Sequence, residues 1–221
     1  MEPELSTALI GTRKRRGEGH TRRDEILVAA KTLFLKQGYE ATTIRKIAEE
    51  VGVSAPALYL YFADKEAIML ALCDQTFALL MAIVADIEKT VRDPVERLNR
   101  FGEAYGRFGL KHPDEYKLVF INPVIPEAIR KTGHRTAIDD PTRPGAGGAM
   151  VFSRLVAILN DIDASGIKLN YPADMAAELC WMGIHGVVAA IIMKPDFPWS
   201  DREVLITGMI ATVRKGVLRD G

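Results

Sequence analysis

The chain has 221 residues, 48% of them hydrophobic, and equal numbers of basic and acidic side chains, 29 of each. This length can bury a substantial core without a disulfide framework, and the two cysteines, Cys73 and Cys180, lie in apolar surroundings that predict core thiols rather than a zinc site. The zero net charge does not by itself indicate a nucleic-acid partner.

Basic residues are concentrated near the N-terminus, where ten Lys and Arg face four Asp and Glu between Arg13 and Lys46. Residues 1–20 are polar and lack helical periodicity, so we expect a mobile arm that carries the basic run at residues 13–16. Its apolar stretch is too short for a secretory signal, which favours a reducing cytoplasm. The basic run is either a solvated tail or part of a binding surface, and both interpretations stay open at this point.

Three helices are predicted between residues 21 and 62, because apolar residues recur there at helical spacing. Capping residues and glycines mark their boundaries: Thr21 and Gly38 for the first, Thr42 or Thr43 and Gly52 for the second, and Ser54 with Pro56 for the third. We expect Ile47, Ala48, Val53, Leu58 and Phe62 to be buried.

A long helix is predicted next, with Asp64 as its cap and an end near residue 91. It carries two apolar stripes, one formed by Ile68, Leu72, Leu79, Ile83 and Ile87 and the other by Phe77, Met81 and Val84. Two stripes indicate a helix that is contacted on two sides, as in a bundle or a bridge between modules.

The remaining sequence predicts five more helices and one long loop. The helices span about 94–111, 114–121, 149–164, 172–193 and 201–218, the last capped by Ser200, and the loop spans the glycine- and proline-rich residues 132–148. The least charged stretch, residues 179–193, is too short to cross a bilayer comfortably and is expected to be buried in protein. No segment alternates with a period of two, so the predicted fold is all-α.

Residues 42–62 have the local features of a helix-turn-helix. Gly52 can take the positive φ of a tight turn, Val53 fills the gap between two helices, and Ser54 caps a second helix that starts at once. Such a second helix can enter the major groove of DNA by its N-terminal end. A plain helical hairpin inside a core would show the same spacing and remains the alternative.

The sequence resembles the DNA-binding domain of the TetR (tetracycline-repressor-like) family over residues 22–68. The resemblance is carried by residues that agree in type and spacing: Ala29, Leu33, Phe34, Gly38, Tyr39, Thr43, Arg45, Ile47, Ala48, Gly52, Val53, Ser54, Leu58, Tyr59, Tyr61, Phe62, Lys65 and Glu66. It implies an N-terminal three-helix DNA-binding domain followed by a C-terminal helical bundle that binds an effector and dimerises.

The resemblance also implies which residues contact double-stranded operator DNA. Hydroxyls and an ammonium would contact phosphates, and one guanidinium and small apolar groups would face base edges. The predicted phosphate contacts are Thr43, Tyr59, Tyr61 and Lys65, and the predicted base-edge contacts are Arg45, Ala55, Pro56, Ala57 and Leu60. Ser54, which caps the second helix of the helix-turn-helix, belongs to the same predicted DNA-binding surface. Tyr59 and Tyr61 could alternatively lie in the core, and Leu60 could alternatively pack against the module. The basic arm could reach a minor groove, add phosphate contacts or do neither.

In the C-terminal part, Trp181, Gly183, His185 and Gly186 resemble a subgroup of the family marked by Trp, His and Gly, and His112, Pro113, Asp114, Tyr116 and Leu118 also look typical of it. Gly183, Gly186 and Ala190 place small side chains on one helix face. This face suits a homodimer through the last two helices, or close packing within one subunit.

Several aromatic and neighbouring side chains are candidates for an effector pocket between the helices, with an ordinary core role as the alternative. They are Phe77, Met81, Phe101, Tyr105, Phe108, Phe120, Trp181 and His185. The identity of the effector does not follow from the sequence.

The sequence thus predicts a basic arm at 1–20, a helix-turn-helix domain at 21–66 and an effector-binding and dimerisation domain at 67–221. The predicted function is a cytoplasmic transcriptional repressor, released from a palindromic operator by a small molecule. An effector-independent DNA-binding protein or an activator is the alternative. Four scattered histidines and the lack of a phosphate-binding loop or a metal-ligand pair offer no catalytic site, so we expect no enzyme, cofactor or metal, and no membrane partner.

Overall fold

The computed structural model describes residues 19–121 and 145–219, and these residues confirm the all-α fold. The helices are α1 (Gly19–Gln37), α2 (Ile44–Val51), α3 (Ala55–Leu58), α4 (Lys65–Thr90), α5 (Pro94–Lys111), α6 (Pro113–Tyr116), α7 (Gly147–Ala164), α8 (Ala173–Met193) and α9 (Arg202–Val217). One wide π-helical turn, Lys117–Ile121, continues α6. The basic arm and most of the glycine-rich loop lie outside the described residues.

Side-chain caps explain where several helices begin. Thr43, Ser54, Asp64, Asp93 and Asp201 each accept a hydrogen bond from the backbone N–H three residues later, which satisfies a donor that has no partner inside the helix. Of the two predicted caps of α2, Thr43 is therefore the one used.

Two predicted caps are wrong. Asp201, and not Ser200, caps α9, because its carboxylate accepts from the N–H of Val204 and its negative charge suits a helix N-terminus. At α1 the helix already begins at Gly19, so Thr21 lies in its first turn.

Two hydrophobic cores divide the described residues. The first core lies among α1, α2, α3 and the first half of α4, and contains Ile26, Leu27, Phe34, Ile47, Ala48, Leu58, Phe62, Ile68 and Met69 among others. The second core lies among the rest of α4 and α5, α7, α8 and α9. Because α4 supplies side chains to both cores, it joins the small N-terminal module to the helical bundle.

The buried face of α4 differs from the predicted stripe. Ile68 and Leu72 are buried as expected, but Leu79 and Ile83 are exposed, and the buried positions continue instead through Thr76, Leu80 and Val84. The reason is the rotation of the helix: at 3.6 residues per turn, each step of four residues turns the side chain by about 40°, so the buried face moves gradually from the first core at Leu72 to α5 and α7 at Leu80 and Val84. Phe77 and Met81, from the second stripe, are half-buried against the second core.

The two cysteines are buried free thiols, which confirms their assignment to the core. Burial raises the pKa of both Cys73 and Cys180 to about 12, so neither thiol ionises near neutral pH.

Two helices, α4 and α8, are long and apolar enough to cross a membrane by length and composition alone. The apolar stretch at 179–193 is thus part of a longer helix than its own length suggested. Core helices of globular proteins have the same composition, and both α4 and α8 contribute buried side chains to the cores described above.

Candidate nucleic-acid interface and interior cavity

The connection between α2 and α3 is a tight turn built on Gly52. Its φ of 71° is left-handed, a conformation that glycine adopts without steric cost. The N–H of Val53 donates to the carbonyl of Ala48 at 2.9 Å, and Ser54 then caps α3. Two helices joined in this way, with Ile47 and Leu58 buried between them, form the helix-turn-helix that the sequence predicts.

Three consecutive large side chains after α3 point into solvent. Tyr59 is 53% exposed, Leu60 84% and Tyr61 38%, so a core position for the tyrosines and packing of Leu60 against the module are both wrong. The cause is the shortness of α3, which ends at Leu58. Leu58 and Phe62 turn inward, and the three residues between them are left outside.

The other predicted DNA contacts are all at least partly exposed. Thr43, Ser54 and Pro56 are exposed, and Ala55 and Ala57 are half-buried. The hydroxyls of Thr43 and Ser54 already accept a backbone N–H as helix caps. Because Ala55, Pro56 and Ala57 have small side chains, another molecule can approach the backbone closely at the start of α3.

The two predicted basic contacts differ in how firmly they are held. Arg45 is fully on the surface, and its Nε lies 2.9 Å from the carboxylate of Glu49 in an exposed pair that contributes little in water. Lys65 is half-buried: its ammonium donates to the carbonyl of Tyr39 at 2.8 Å and lies 4.1 Å from the centre of that ring. Arg45 can therefore exchange its partner easily, whereas Lys65 also fixes the corner between α1 and α2.

A cavity of about 460 Å³ lies in the bundle among α4, α5, the π-helical turn, α7 and α8. Five of the eight predicted pocket residues line it: Phe77, Phe101, Tyr105, Phe120 and Trp181. The other three are placed elsewhere, since Phe108 is buried in the second core, Met81 packs half-buried against that core, and His185 lies behind Tyr116.

Helix α7 and one acidic residue contribute to the cavity wall without having been predicted from the sequence. Val151, Phe152 and Leu155 form one side of the cavity, and Glu178, three residues before Trp181, stands at its edge. The spacing of the α7 residues is a helical one, so periodicity alone places them on a common face. That this face meets α5 is a property of the tertiary packing.

Glycines at the start of α7 allow it to approach α4. A Cβ atom at Gly147 would lie 2.5 Å from the Cβ of Phe77, and one at Gly148 would lie 3.0 Å from the end of the same ring. Any larger residue at these positions would push α7 away from Phe77 and alter the cavity. The N–H of Gly145 also donates to the carboxylate of Asp74 at 2.8 Å, which ties this end of α7 to α4.

A chain of four hydrogen-bonded side chains begins at two residues of the cavity wall, Trp181 and Tyr105, and continues behind that wall. The indole N–H of Trp181 donates to the hydroxyl of Tyr105 at 3.0 Å, the hydroxyls of Tyr105 and Tyr116 are 3.1 Å apart, and that of Tyr116 is 2.7 Å from Nδ1 of His185. Burial raises the pKa of Tyr105 to about 12. It also raises the pKa of Tyr116 and lowers the pKa of His185. With a neutral His185 that accepts at Nδ1, every hydroxyl in the chain donates in the same direction.

The segment from α6 to the π-helical turn touches both cores. Tyr116 is buried in the second core and Leu118 in the first. In addition, Glu115 accepts a hydrogen bond from Lys31 of α1 at 2.7 Å, in a partly buried ion pair. This segment therefore connects the second core with the N-terminal module.

The two glycines of α8 have different surroundings. A Cβ atom at Gly183 would lie 2.7 Å from Cγ2 of Val213 on α9, so Gly183 allows close packing within the subunit. At Gly186 no atom lies within 4 Å, and the residue is exposed. Met182, Met193 and Val204 are also exposed, which leaves an apolar surface on α8 and α9.

An exposed helix-turn-helix attached to a helical bundle with an interior cavity defines a DNA-binding regulator of the helix-turn-helix class. The chain belongs to the tetR family of bacterial regulatory proteins. The model described as "Bacterial regulatory proteins, tetR family" matches residues 26–72, and that described as "Tetracyclin repressor-like, C-terminal domain" matches residues 98–213. The finer resemblance to a Trp-His-Gly subgroup stays a prediction.

Curated relatives match mainly over part of their length. The transcriptional activator FasR of Mycolicibacterium smegmatis is 34% identical over 107 residues, which are 48% of this chain and 48% of that protein. The transcriptional repressor KstR2 of Mycobacterium tuberculosis is 37% identical over 82 residues, which are 37% of this chain and 41% of that protein. The sequence matches thus span less than half the length of these relatives.

Solved structures share the fold over nearly the whole chain. The ketosteroid transcriptional regulator KstR2 of Mycobacterium tuberculosis superposes with a TM-score of 0.66 and 23% identity, over 90% of this chain and 96% of that one. The fatty acid degradation regulator FadR of Bacillus halodurans superposes with a TM-score of 0.67 and 17% identity, over 92% and 98%.

Proposed function

We propose that the protein is a cytoplasmic transcriptional repressor, which binds a palindromic operator as a homodimer and leaves it when a small molecule binds. The observation that carries this proposal is the exposed surface formed by Tyr59, Leu60 and Tyr61 directly after a capped, glycine-turned helix pair. Large side chains are costly to leave in water without a partner, and DNA is the partner that a helix-turn-helix fits. Its curated relatives are transcriptional regulators, which favours regulation over catalysis.

In this proposal the DNA contacts divide into two kinds. Thr43, Tyr59, Tyr61 and Lys65 bind phosphates and position the module, and they contribute an affinity that falls steeply with salt. Arg45 donates to a guanine edge, and Ala55, Pro56, Ala57 and Leu60 contact thymine methyl groups. The exposed Arg45–Glu49 pair is easily broken, so the guanidinium is available to a base.

Dimerisation would use the exposed apolar surface on α8 and α9. One helix-turn-helix makes too few base contacts for tight specific binding, and a two-fold axis supplies a second one at a fixed distance. Gly186 is open in the subunit, as a position that receives a partner's helix must be. Exposed Met182 and Met193 flank it on the same helix.

The cavity would hold the effector, and the segment from α6 to the π-helical turn would pass on its binding. A ligand that contacts Tyr105 shifts the hydroxyl of Tyr116, and Tyr116 is two residues from Leu118 in the first core. Binding would favour a position of the N-terminal module that no longer matches the DNA groove, and DNA would oppose effector binding by the same factor.

An activator is the second candidate, because the curated relative FasR is named an activator. The sign of regulation depends on where the operator lies relative to the promoter, and not on this chain. An effector-independent DNA-binding protein is less favoured, since a cavity of about 460 Å³ within the bundle has the size of a small-molecule site.

The proposal is tested by selecting bound DNA from a random pool and then screening compounds for release of the selected site. We expect a palindromic sequence with half-sites separated by about one helical turn or more. The Arg45→Ala variant, selected in parallel, is expected to return a site with one less-defined position in each half. A pool without any enriched sequence, or with an asymmetric one, would contradict the proposal.

A further inference from the structure

The wall of the cavity is made largely of aromatic rings. Six of its lining side chains are aromatic: Phe77, Phe101, Tyr105, Phe120, Phe152 and Trp181. The ring of Phe120 meets those of Phe77 and Tyr105 nearly edge-on, with centroids 5.5 and 5.8 Å apart. Rings that stand at steep angles to one another enclose a space with several electron-rich faces, which attract a cation.

The polar atoms of this wall are occupied within the protein. The indole N–H of Trp181 is used by Tyr105, and the hydroxyl of Tyr105 is also bonded to Tyr116. A ligand that needed a hydrogen bond from these groups would have to break an existing one. The interior of the cavity therefore suits hydrocarbon or aromatic parts of a ligand.

The charge at the edge of the cavity is negative. Among the described residues that line it, Glu178 is the one with a formal charge, and it makes no hydrogen bond or ion pair within the described part of the chain. The arginines on neighbouring helices have partners elsewhere: Arg97 faces Asp161 at 2.9 Å, and Arg154 faces Glu88 at 3.9 Å. Arg214 lines a small adjoining crevice, which shares Phe101, Tyr105, Leu155 and Trp181 with the cavity, and its guanidinium donates to Asn99 at 3.1 Å.

We propose that the cavity binds a lipophilic cation, with its apolar body among the aromatic rings and its positively charged nitrogen beside Glu178. This inference rests on the proposed function only in taking the cavity as the effector site. An anionic ligand of the same shape would lie next to an unpaired carboxylate, with no base among the described lining residues to offset the repulsion, so it binds more weakly. The volume lies within the range of small-molecule sites, about 300–1,000 Å³.

The test compares three probes that share a ten-carbon chain: decyltrimethylammonium, 1-decanol and decanoate. Each is titrated calorimetrically into the full chain below its micelle concentration. We expect the cation to bind at least about tenfold more tightly than decanoate, because the faces of the aromatic rings and the carboxylate of Glu178 both attract a positive charge. Glu178→Gln is expected to weaken cation binding about two- to fivefold and to leave decanol binding unchanged.

The matched control is Asp174→Asn, which removes an exposed carboxylate one turn earlier on α8 that does not line the cavity. It should change none of the three affinities. Decanoate binding as tightly as the cation, an unchanged cation affinity in Glu178→Gln, or no binding of any probe would each overturn the inference. A cation that binds as expected but does not alter operator affinity would contradict the effector role and leave the ligand class intact.

Discussion

Leucine substitutions at the two glycines of α8 separate the stability of the subunit from that of the dimer. At Gly186 an added Cβ atom meets nothing within 4 Å and the position is exposed, so we expect the subunit to accommodate Gly186→Leu. At Gly183 the first added carbon already lies 2.7 Å from Val213, so Gly183→Leu forces α8 and α9 apart within one chain.

The expected magnitudes follow from these distances. For Gly183→Leu, overpacking lowers the free energy of unfolding by about 1–3 kcal/mol or more, offset in part by about 1 kcal/mol from the loss of a helical glycine. For Gly186→Leu the subunit gains up to about 1 kcal/mol from helix propensity. Its dimer loses about 1–3 kcal/mol, because a bulky side chain enters a two-fold contact twice, and the dimer dissociation constant rises about tenfold or more.

Sedimentation measures the mass as a function of concentration, urea denaturation measures the unfolding free energy, and fluorescence anisotropy measures operator affinity. Ala82→Leu, at an exposed position of α4, is the control for added bulk and should change none of these strongly. Gly186→Leu should lose operator affinity although it is far from the helix-turn-helix. A Gly186→Leu protein that dimerises normally, or a monomeric wild type that binds its operator tightly, would refute the reasoning.

Three further predictions concern single side chains. Arg45→Ala should cost about 1–3 kcal/mol of binding free energy on the selected operator and little on random DNA, whereas Lys65→Ala should weaken binding to both alike. Fluorescence anisotropy with the two DNAs measures these affinities. Equal losses for both variants would contradict the division of roles. Tyr116→Phe should lower the urea-derived free energy of unfolding by about 1–3 kcal/mol, since it leaves Tyr105 and His185 short of a partner; an unchanged value would show that the hydrogen-bonded chain is not stabilising. Burial lowers the pKa of His185 in the folded state. The contribution of this residue to stability is therefore fully present above its unfolded pKa of about 6.5, and it is lost as the pH falls through the lowered folded value. Thermal unfolding of His185→Gln should depend less on pH in this window.

The helix-turn-helix could be predicted from sequence because its determinants are local. A threonine cap, a glycine at the turn and a serine cap follow one another within twelve residues, and each acts on its own backbone. The same holds for Asp64, which starts α4 where predicted. Interactions between neighbours in the chain need no knowledge of the tertiary structure.

The cavity could be predicted only in part, because its wall is assembled from helices far apart in sequence. Aromatic type identified Phe77, Phe101 and Trp181, but aliphatic Leu155 on α7 has no feature that separates it from ordinary core. The sequence groups His185 with Trp181 because they share a helix face. In the structure Tyr116 lies against His185, and its hydroxyl forms a hydrogen bond with the ring nitrogen Nδ1. Which of two neighbouring side chains reaches a cavity depends on the side chain that arrives from another helix.

The two separate cores also bear on how such a protein can change over generations. Substitutions of residues that belong to the first core alone leave the second core intact, and substitutions at wall residues such as Val151 and Leu155 leave the first core intact. Mutational effects at distant, independent sites are nearly additive, so the two modules can diverge one step at a time. The positions that both modules share, Phe77 on α4 and the pair of Tyr116 and Leu118, are the ones at which a change in either function constrains the other.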